Sequence, residues 1–181
     1  MKTISKLYIL IMIFSIIFNI FISHSPKIIA EDNNNWLSAG DLLKQKRNYT
    51  GAIAAYNKAL EIDPKDKQAW VNKGDALNLL GNYTGAIAAY NKALEIDPNY
   101  VNALDGKGWA LNELGNYTQA ISYLNKALEI DPKHIDALIF KGQSLYGLGN
   151  HIEGKYYFDR ALEIDPDNEL AKRIYNNLSK K

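Results

Sequence analysis

The chain has 181 residues, of which 21 are basic, 20 acidic and three histidine, for a net charge of +1, and it has no cysteine. No disulfide framework or thiolate metal site can be built without cysteine, and there is no basic surplus to serve as the electrostatic footprint of a generic nucleic-acid binder. The length suits one modest domain, whose stability has to come from apolar burial.

Residues 1–30 differ in kind from the rest. Lys2 and Lys6 precede a nearly unbroken apolar run from Leu7 to Ile22, and with Lys27 they are the only charges in a stretch that has no acid. Basic residues ahead of such a run are the pattern of a secretory signal. At 16 residues, the run is slightly long for a signal core and slightly short for a membrane span. Ala30 offers a cleavage point, with Ile28 an imperfect partner. Signal peptide and retained membrane anchor both stay open, while the absence of a following cysteine excludes a bacterial-type lipid anchor. A buried helix of the next domain is disfavoured, because the run has no polar face for water. In either case Lys2 and Lys6 stay on the cytoplasmic side. The remainder is then expected outside the cytoplasm, secreted or membrane-anchored. That remainder, with 18 basic and 20 acidic residues, is slightly acidic.

From residue 31 the chain repeats itself. After a short polar linker, Glu31 to Asn35, residues 49–64 read YTGAIAAYNKALEIDP and residues 83–98 match them letter for letter. Residues 117–132, YTQAISYLNKALEIDP, and 151–166, HIEGKYYFDRALEIDP, are more worn copies. Pro64, Pro98, Pro132 and Pro166 lie 34 residues apart, and a fixed period of that size marks one supersecondary unit stacked on itself. Each unit predicts two helices. In the second, Trp70, Val71, Gly74, Leu77 and Leu80 recur at helical spacing before Gly81, and Ala86, Ile87, Tyr90, Ala93, Leu94 and Ile96 do so after it. Gly81 suits the left-handed residue that follows a helix, and Asn82 suits the N-cap of the next one. Asp97-Pro98 stops that helix, since a residue before proline is pushed off helical angles. The repeats occupy 31–168, as units of about 33–66, 67–100, 101–134 and 135–168. Residues 169–181 hold a capping helix and tail: Leu170, Ile174 and Leu178 form a stripe with Ala171 and Tyr175, opposite Lys172, Arg173, Asn176 and Asn177. One apolar stripe and one polar face are what a terminal cap requires.

Over roughly residues 33–168 the pattern resembles the tetratricopeptide repeat family. The family's first-helix Trp, Gly and Tyr places hold Trp36, Gly40 and Leu43, then Trp70, Gly74 and Leu77, then Leu104, Gly108 and Leu111, then Leu138, Gly142 and Leu145. Leucine thus replaces the family's tyrosine throughout. The small residue of the second helix is Ala52, Ala86, Ala120 and Gly154. The later aromatic is Tyr56, Tyr90 and Phe158, with Leu124 in the third copy, and the late alanine is Ala59, Ala93, Ala127 and Ala161. The resemblance implies an all-α fold, a right-handed superhelical solenoid of antiparallel helix pairs with a C-terminal capping helix. A helix glycine costs roughly 1 kcal/mol relative to alanine. Gly74 and its equivalents are therefore expected to admit the facing alanines of the paired helix. One pair cannot cover its own apolar stripe, so stacking buries it and leaves a concave and a convex face.

The resemblance puts the binding surface on the concave face, lined mainly by the first helices. The candidate groove residues are Asp41, Asp75, Asn78, Asp105, Trp109, Asn112, Glu113, Gln143 and Tyr146. Asp41, Asp75, Asp105, Glu113 and Asp136 make the wall acidic, and Trp109 and Tyr146 offer flat apolar anchors. A protein or peptide with basic and apolar side chains would suit such a surface, and nucleic acid would not. Of the Lys, Asn and Arg with which some members clamp a C-terminal carboxylate, only Asn72 has a match, so no such clamp is expected. No catalytic residue, metal or cofactor is expected either. His24, His134 and His151 have no spaced partner for metal or acid–base work, and Asp63, Asp97, Asp131 and Asp165 recur because the turns recur. Repeats of this kind accompany glycosyltransferases, but the four copies run without an insertion that could hold such a domain. The expected function is a non-enzymatic protein–protein interaction scaffold, exported or membrane-tethered. The alternative is a structural, self-associating repeat protein of the cell envelope. Asn48, Asn82, Asn116 and Asn177 head glycosylation sequons, which export would bring to the modifying enzymes, although an Asn-Tyr pair at this turn is ordinary for the family.

Overall fold

The structure, a computed structural model, describes residues 33–178; the segment at 1–30 expected to be a signal or an anchor, and the C-terminal tail, lie outside the described residues. Every described element is helical. The order is α1 (33–45), α2 (Tyr49–Ile62), α3 (Lys67–Leu79), α4 (Tyr83–Ile96), α5 (Val101–Glu113), α6 (Tyr117–Ile130), α7 (Ile135–Gly147), α8 (His151–Ile164) and α9 (Glu169–Leu178). Asn33, Asn34 and Asn35, expected in the linker, already belong to α1, and Asn33 donates to the Asp66 carboxylate at 3.1 Å. Among the described residues no helix is long and apolar enough to cross a membrane.

Each helix boundary has a local cause. Gly81 has φ +83°, its N–H donates to the Asn78 carbonyl, and the Asn82 N–H donates to the Leu77 carbonyl, both at 2.9 Å. This bond pair satisfies the last carbonyls of α3 and needs a left-handed residue at its centre. At the far end of each pair, Asp63, Asp97, Asp131 and Asp165 are C-caps with extended backbone. Each carboxylate also accepts the N–H two residues on, across the proline. The recurrent acids therefore close turns.

Each helix packs on the next, and first helices also touch across pairs, α3 on α5, α5 on α7 and α7 on α9. First helices thus form one row of a solenoid and second helices the other. The alanines at both repeated places of the second helix are fully buried, and the second helix of each pair adds a fully buried large side chain, Tyr56, Tyr90, Leu124 or Phe158, joined in the fourth pair by Leu138 and Ile139 of the first helix. The large side chains of the second helices occupy the space over the helix glycines, joined in the fourth pair by the facing small residue, since a Cβ on Gly142 would lie 2.9 Å from the Gly154 carbonyl oxygen. A Cβ on Gly74 would lie 2.6 Å from the Tyr90 ring, and one on Gly106, in the next repeat, 2.5 Å from it. At Gly74 the nearest neighbour is therefore the Tyr90 ring, while at Gly142 the backbones of the two helices meet at the small-residue place as expected. On α9, Leu170, Ile174, Tyr175 and Leu178 pack against the core that holds Leu138 and Phe158, covering the last pair.

Candidate functional site

The inner face of the first helices forms a groove of about 820 Å³. Lys44 and Gln45 come from α1, Gln68, Val71, Asp75 and Leu79 from α3, Asn102, Asp105, Trp109 and Glu113 from α5, and Asp136, Phe140 and Gln143 from α7; Tyr83, His134 and, on α9, Leu170, Arg173 and Ile174 complete it. Residues three and four apart share a helix face, and the repeat period carries that face from one first helix to the next. Trp109 and Phe140 lie parallel in this lining, with ring centroids 5.5 Å apart and an interplanar angle of 1°.

Of the candidate residues, the groove brings together Asp75, Asp105, Trp109, Glu113 and Gln143. Asp41 is held elsewhere. It accepts the Tyr56 hydroxyl at 2.6 Å and an Asn72 amide N–H at 3.2 Å, a polar link between two repeats. Its equivalent Asp75 accepts the Tyr90 hydroxyl at 2.8 Å. In the third and fourth copies the tyrosine has become Leu124 and Phe158, and the acid has become Trp109 and Gln143. Acid and hydroxyl vanish together because each is the other's partner, and the freed place then carries an indole and an amide.

Asn78, Asn112 and Tyr146 do not line the groove. They share one repeat position, one residue before Leu79, Glu113 and Gly147, and a single helical step turns a side chain by about 100°. That step points them at the neighbouring first helix. Asn78 and Asn112 are each only 3 % exposed. Asn78 donates to the Tyr90 hydroxyl at 3.1 Å and to the Gly106 carbonyl at 3.4 Å, and Asn112 accepts the Ser144 hydroxyl at 3.3 Å. Tyr146 stacks on His151 at 4.9 Å and meets Phe158 and Tyr175 edge-on at 5.9 and 6.3 Å. It is a packing residue between the last pair and the cap.

The electrostatics of the groove are acidic. Asp75, Asp105, Glu113 and Asp136 face two cations, Lys44 and Arg173. Lys44 lies 3.6 Å from Asp75, and Gln143 donates to Glu113 at 3.4 Å. Asp105 is 8 % exposed, and its Oδ1 is buried without a hydrogen-bond partner. Burial first, and then the charges of Asp136 and Asp75, hold its carboxyl well above the usual range. Burial also raises Asp75, against the opposing pull of Lys44 and the Tyr90 hydroxyl. Tyr90 is raised well above the ordinary phenol by burial and by Asp75, so it remains a protonated donor.

The remaining candidates lie away from the groove chemistry. Asn48, Asn82, Asn116 and Asn177 are exposed; Asn48 and Asn82 use Oδ1 to cap α2 and α4, each at 3.0 Å. Nδ1 of His134 accepts the Ala137 N–H as a helix cap at 3.3 Å, and His24 lies outside the described residues. Among the described residues no group of three or more His, Asp or Glu is placed to hold a metal. Six side chains of the lining, Tyr83, His134, Phe140, Leu170, Arg173 and Ile174, were not legible as groove residues in the sequence. Phe140 stands where the earlier copies have Asn72 and Gly106, so an aromatic new to that position was its signal. Leu170, Arg173 and Ile174 read in the sequence as parts of the cap alone.

Three family models, each described as tetratricopeptide repeat, match residues 37–101, 89–122 and 111–178. Comparison with curated proteins found no match. Among solved structures, the chain is similar to TTC0263, a thermophilic TPR protein in Thermus thermophilus, with a TM-score of 0.76 and 19 % identity over 82 % of this chain and 81 % of that one. It is similar to pilF of Pseudomonas aeruginosa, with a TM-score of 0.73 and 22 % identity over 84 % and 69 %. It is also similar to the first TPR domain of human RPAP3, with a TM-score of 0.59 and 25 % identity over 65 % and 92 %. These likenesses agree with the all-helical solenoid of helix pairs described above. With family models running in succession from residue 37 to residue 178, this chain belongs to the tetratricopeptide repeat family.

Proposed function

We propose that the protein is a non-enzymatic scaffold that holds a segment of a partner protein, bearing basic and apolar side chains, in its concave groove. Proteins of this repeat family serve as protein-interaction scaffolds. The observation that carries the finer reading is the Trp109–Phe140 pair in a lining of four carboxylates. Phe140 is 7 % exposed and belongs to the core, and Trp109 packs against that core while staying half-buried; Trp109 is therefore the ring that the groove presents, in a place where the second copy has Asp75. Rigid aromatics in a concave, acid-lined surface suit apolar anchors flanked by cations. Full-length protein used as bait should recover a partner that Trp109→Ala loses, by about 2 kcal/mol or more of binding energy, and that an alanine at exposed Asp159 of α8 keeps. Equal recovery by both variants would remove the groove from the reading.

Export or membrane tethering is part of this proposal and rests on the charge and hydropathy pattern of residues 1–30. The exposed sequon asparagines are compatible with it.

The self-associating alternative has its own support. On α8, Ile152 and Tyr156 are 92 % and 54 % exposed, one turn apart, where the second copy has Thr84 and Ala88. Scattering mass that rises with concentration in the native chain, and not in an Ile152→Thr, Tyr156→Ala double variant, would favour it.

A further inference from the structure

We propose that Asp105 is an acidic subsite of the groove that receives one lysine or arginine side chain of the partner polypeptide. The proposal rests on the groove reading above and narrows it to one contact and one partner chemistry. Its first support is positional. The equivalents of Asp105 in the other copies are Leu37, Val71 and Ile139; Val71 and Ile139 are buried apolar residues, and Leu37 packs on the first pair's core. The fold takes an aliphatic side chain at this place, and only the third copy departs from it. The second support is the state of the carboxylate. It lines the groove, is more than nine-tenths buried, and its Oδ1 has no hydrogen-bond partner among the described residues. A buried acid without a partner is a cost to folding that packing alone does not offset.

The groove's own cations leave Asp105 unmatched. Lys44 is paired with Asp75, and Arg173 forms no ion pair among the described residues. The neighbouring acids deepen the deficit, since both Asp75 and Asp136 act on Asp105 as like charges. What the site lacks is a cation with N–H donors, brought in from outside. Trp109 follows Asp105 by one helical turn and lines the same groove beside Phe140. A flat indole there can take the aliphatic stem of a lysine or the plane of a guanidinium while the charged end reaches the acid. A metal ion is the poorer fit, because no set of three carboxylate or imidazole groups is placed to hold one among the described residues.

The test uses the full-length chain in detergent, immobilised and offered a displayed library of random linear peptides, with Trp109→Ala as the groove control. Asp105→Val restores the residue type of the second copy and is expected to melt higher than the native chain, so lost binding cannot be ascribed to unfolding. The native chain should select peptides with Lys or Arg at one fixed position beside an apolar residue. Asp105→Val should lose that preference and bind a selected lysine peptide about thirtyfold or more weakly. Replacing that lysine by methionine should weaken binding to the native chain alike and change binding to Asp105→Val little, so the two losses are not additive. Peptides that need Trp109 but show no basic position, or keep it in Asp105→Val, would overturn the subsite and leave the groove standing. Peptides recovered equally by Trp109→Ala, or none at all, would overturn both. Dimerisation of the native chain that Asp105→Val abolishes would make a second copy the occupant and overturn the partner-peptide assignment.

Discussion

Arg47 stands where the three later copies carry Gly81, Gly115 and Gly149, and it holds φ +60° in a turn with the same hydrogen bonds. An L-residue there brings Cβ against its own backbone, at roughly 1–2 kcal/mol. Arg47→Gly should stabilise the domain by about 1 kcal/mol, seen as a higher melting temperature; an unchanged or lower melt would mean that the arginine side chain offsets its strain. Asp105 tests the opposite kind of local cost. Asp105→Val removes an unsatisfied buried group and should stabilise by about 1–3 kcal/mol. The pH dependence has a definite sign. Burial raises the folded-state carboxyl above its unfolded value, so over that interval the folded chain binds more protons than the unfolded one. Stability from this group is then fullest in acid and falls as pH rises from about 4 through the folded value. The advantage of Asp105→Val should therefore widen between acidic and mildly alkaline melts. A gap constant with pH would show that Asp105 finds a counter-charge within the free protein.

The helix pair is the unit in which small residues acquire their meaning. Tyr90 is fully buried, its hydroxyl is held by Asp75 and Asn78, and Gly74 and Gly106 lie against its ring. Helix propensity alone says that Gly74→Ala should stabilise α3 by about 1 kcal/mol. Packing says the reverse, because the new methyl would stand 2.6 Å from a ring that Gly106 of the next repeat also crowds. We expect packing to win, with a net destabilisation of about 1–3 kcal/mol, measured by denaturant unfolding. A more stable Gly74→Ala protein would mean that the ring can move and that the seam between repeats is loose. The same dependence explains why acid and tyrosine disappear together in the later copies. A hydroxyl buried at the seam needs an acceptor, and an acceptor without a hydroxyl has no reason to stay.

For the whole molecule, location is the open question with the plainest test. The proposal that the repeats lie outside the cytoplasm makes them accessible to protease added to intact cells, or recoverable from the medium if the first segment is cleaved. A full-length, soluble form completely protected within intact cells would refute it. The solenoid also explains why a single groove can be assembled from helices far apart in sequence, the four first helices and α9 with Tyr83 at the start of α4. Each first helix contributes the same face, and α9, though shorter and unlike the repeats, continues the series by contributing Leu170, Arg173 and Ile174.

The sequence by itself determined the fold, the helix boundaries within the repeats and the acidic character of the concave face, though not the start of α1 at Asn33. These follow from periodicity, from Gly81 and Asp97-Pro98 as stop signals, and from a resemblance carried by four copies in register, all of which act locally or repeat without change. Only the tertiary structure decided which inward positions reach the groove and which reach the seam. Asn112 and Glu113 are adjacent in sequence, yet one helical step separates burial against Ser144 from the open lining. Asp41 and Asp75 look alike in their repeats, but Asn72 draws the first into a link with the next repeat while the second lines the groove. Asp105 looked like one more solvated acid, and its lack of a partner emerged only when the neighbouring first helices closed over it. Burial and partnership are properties of what lies across a contact, and a repeat period specifies that neighbour only where the neighbour repeats too.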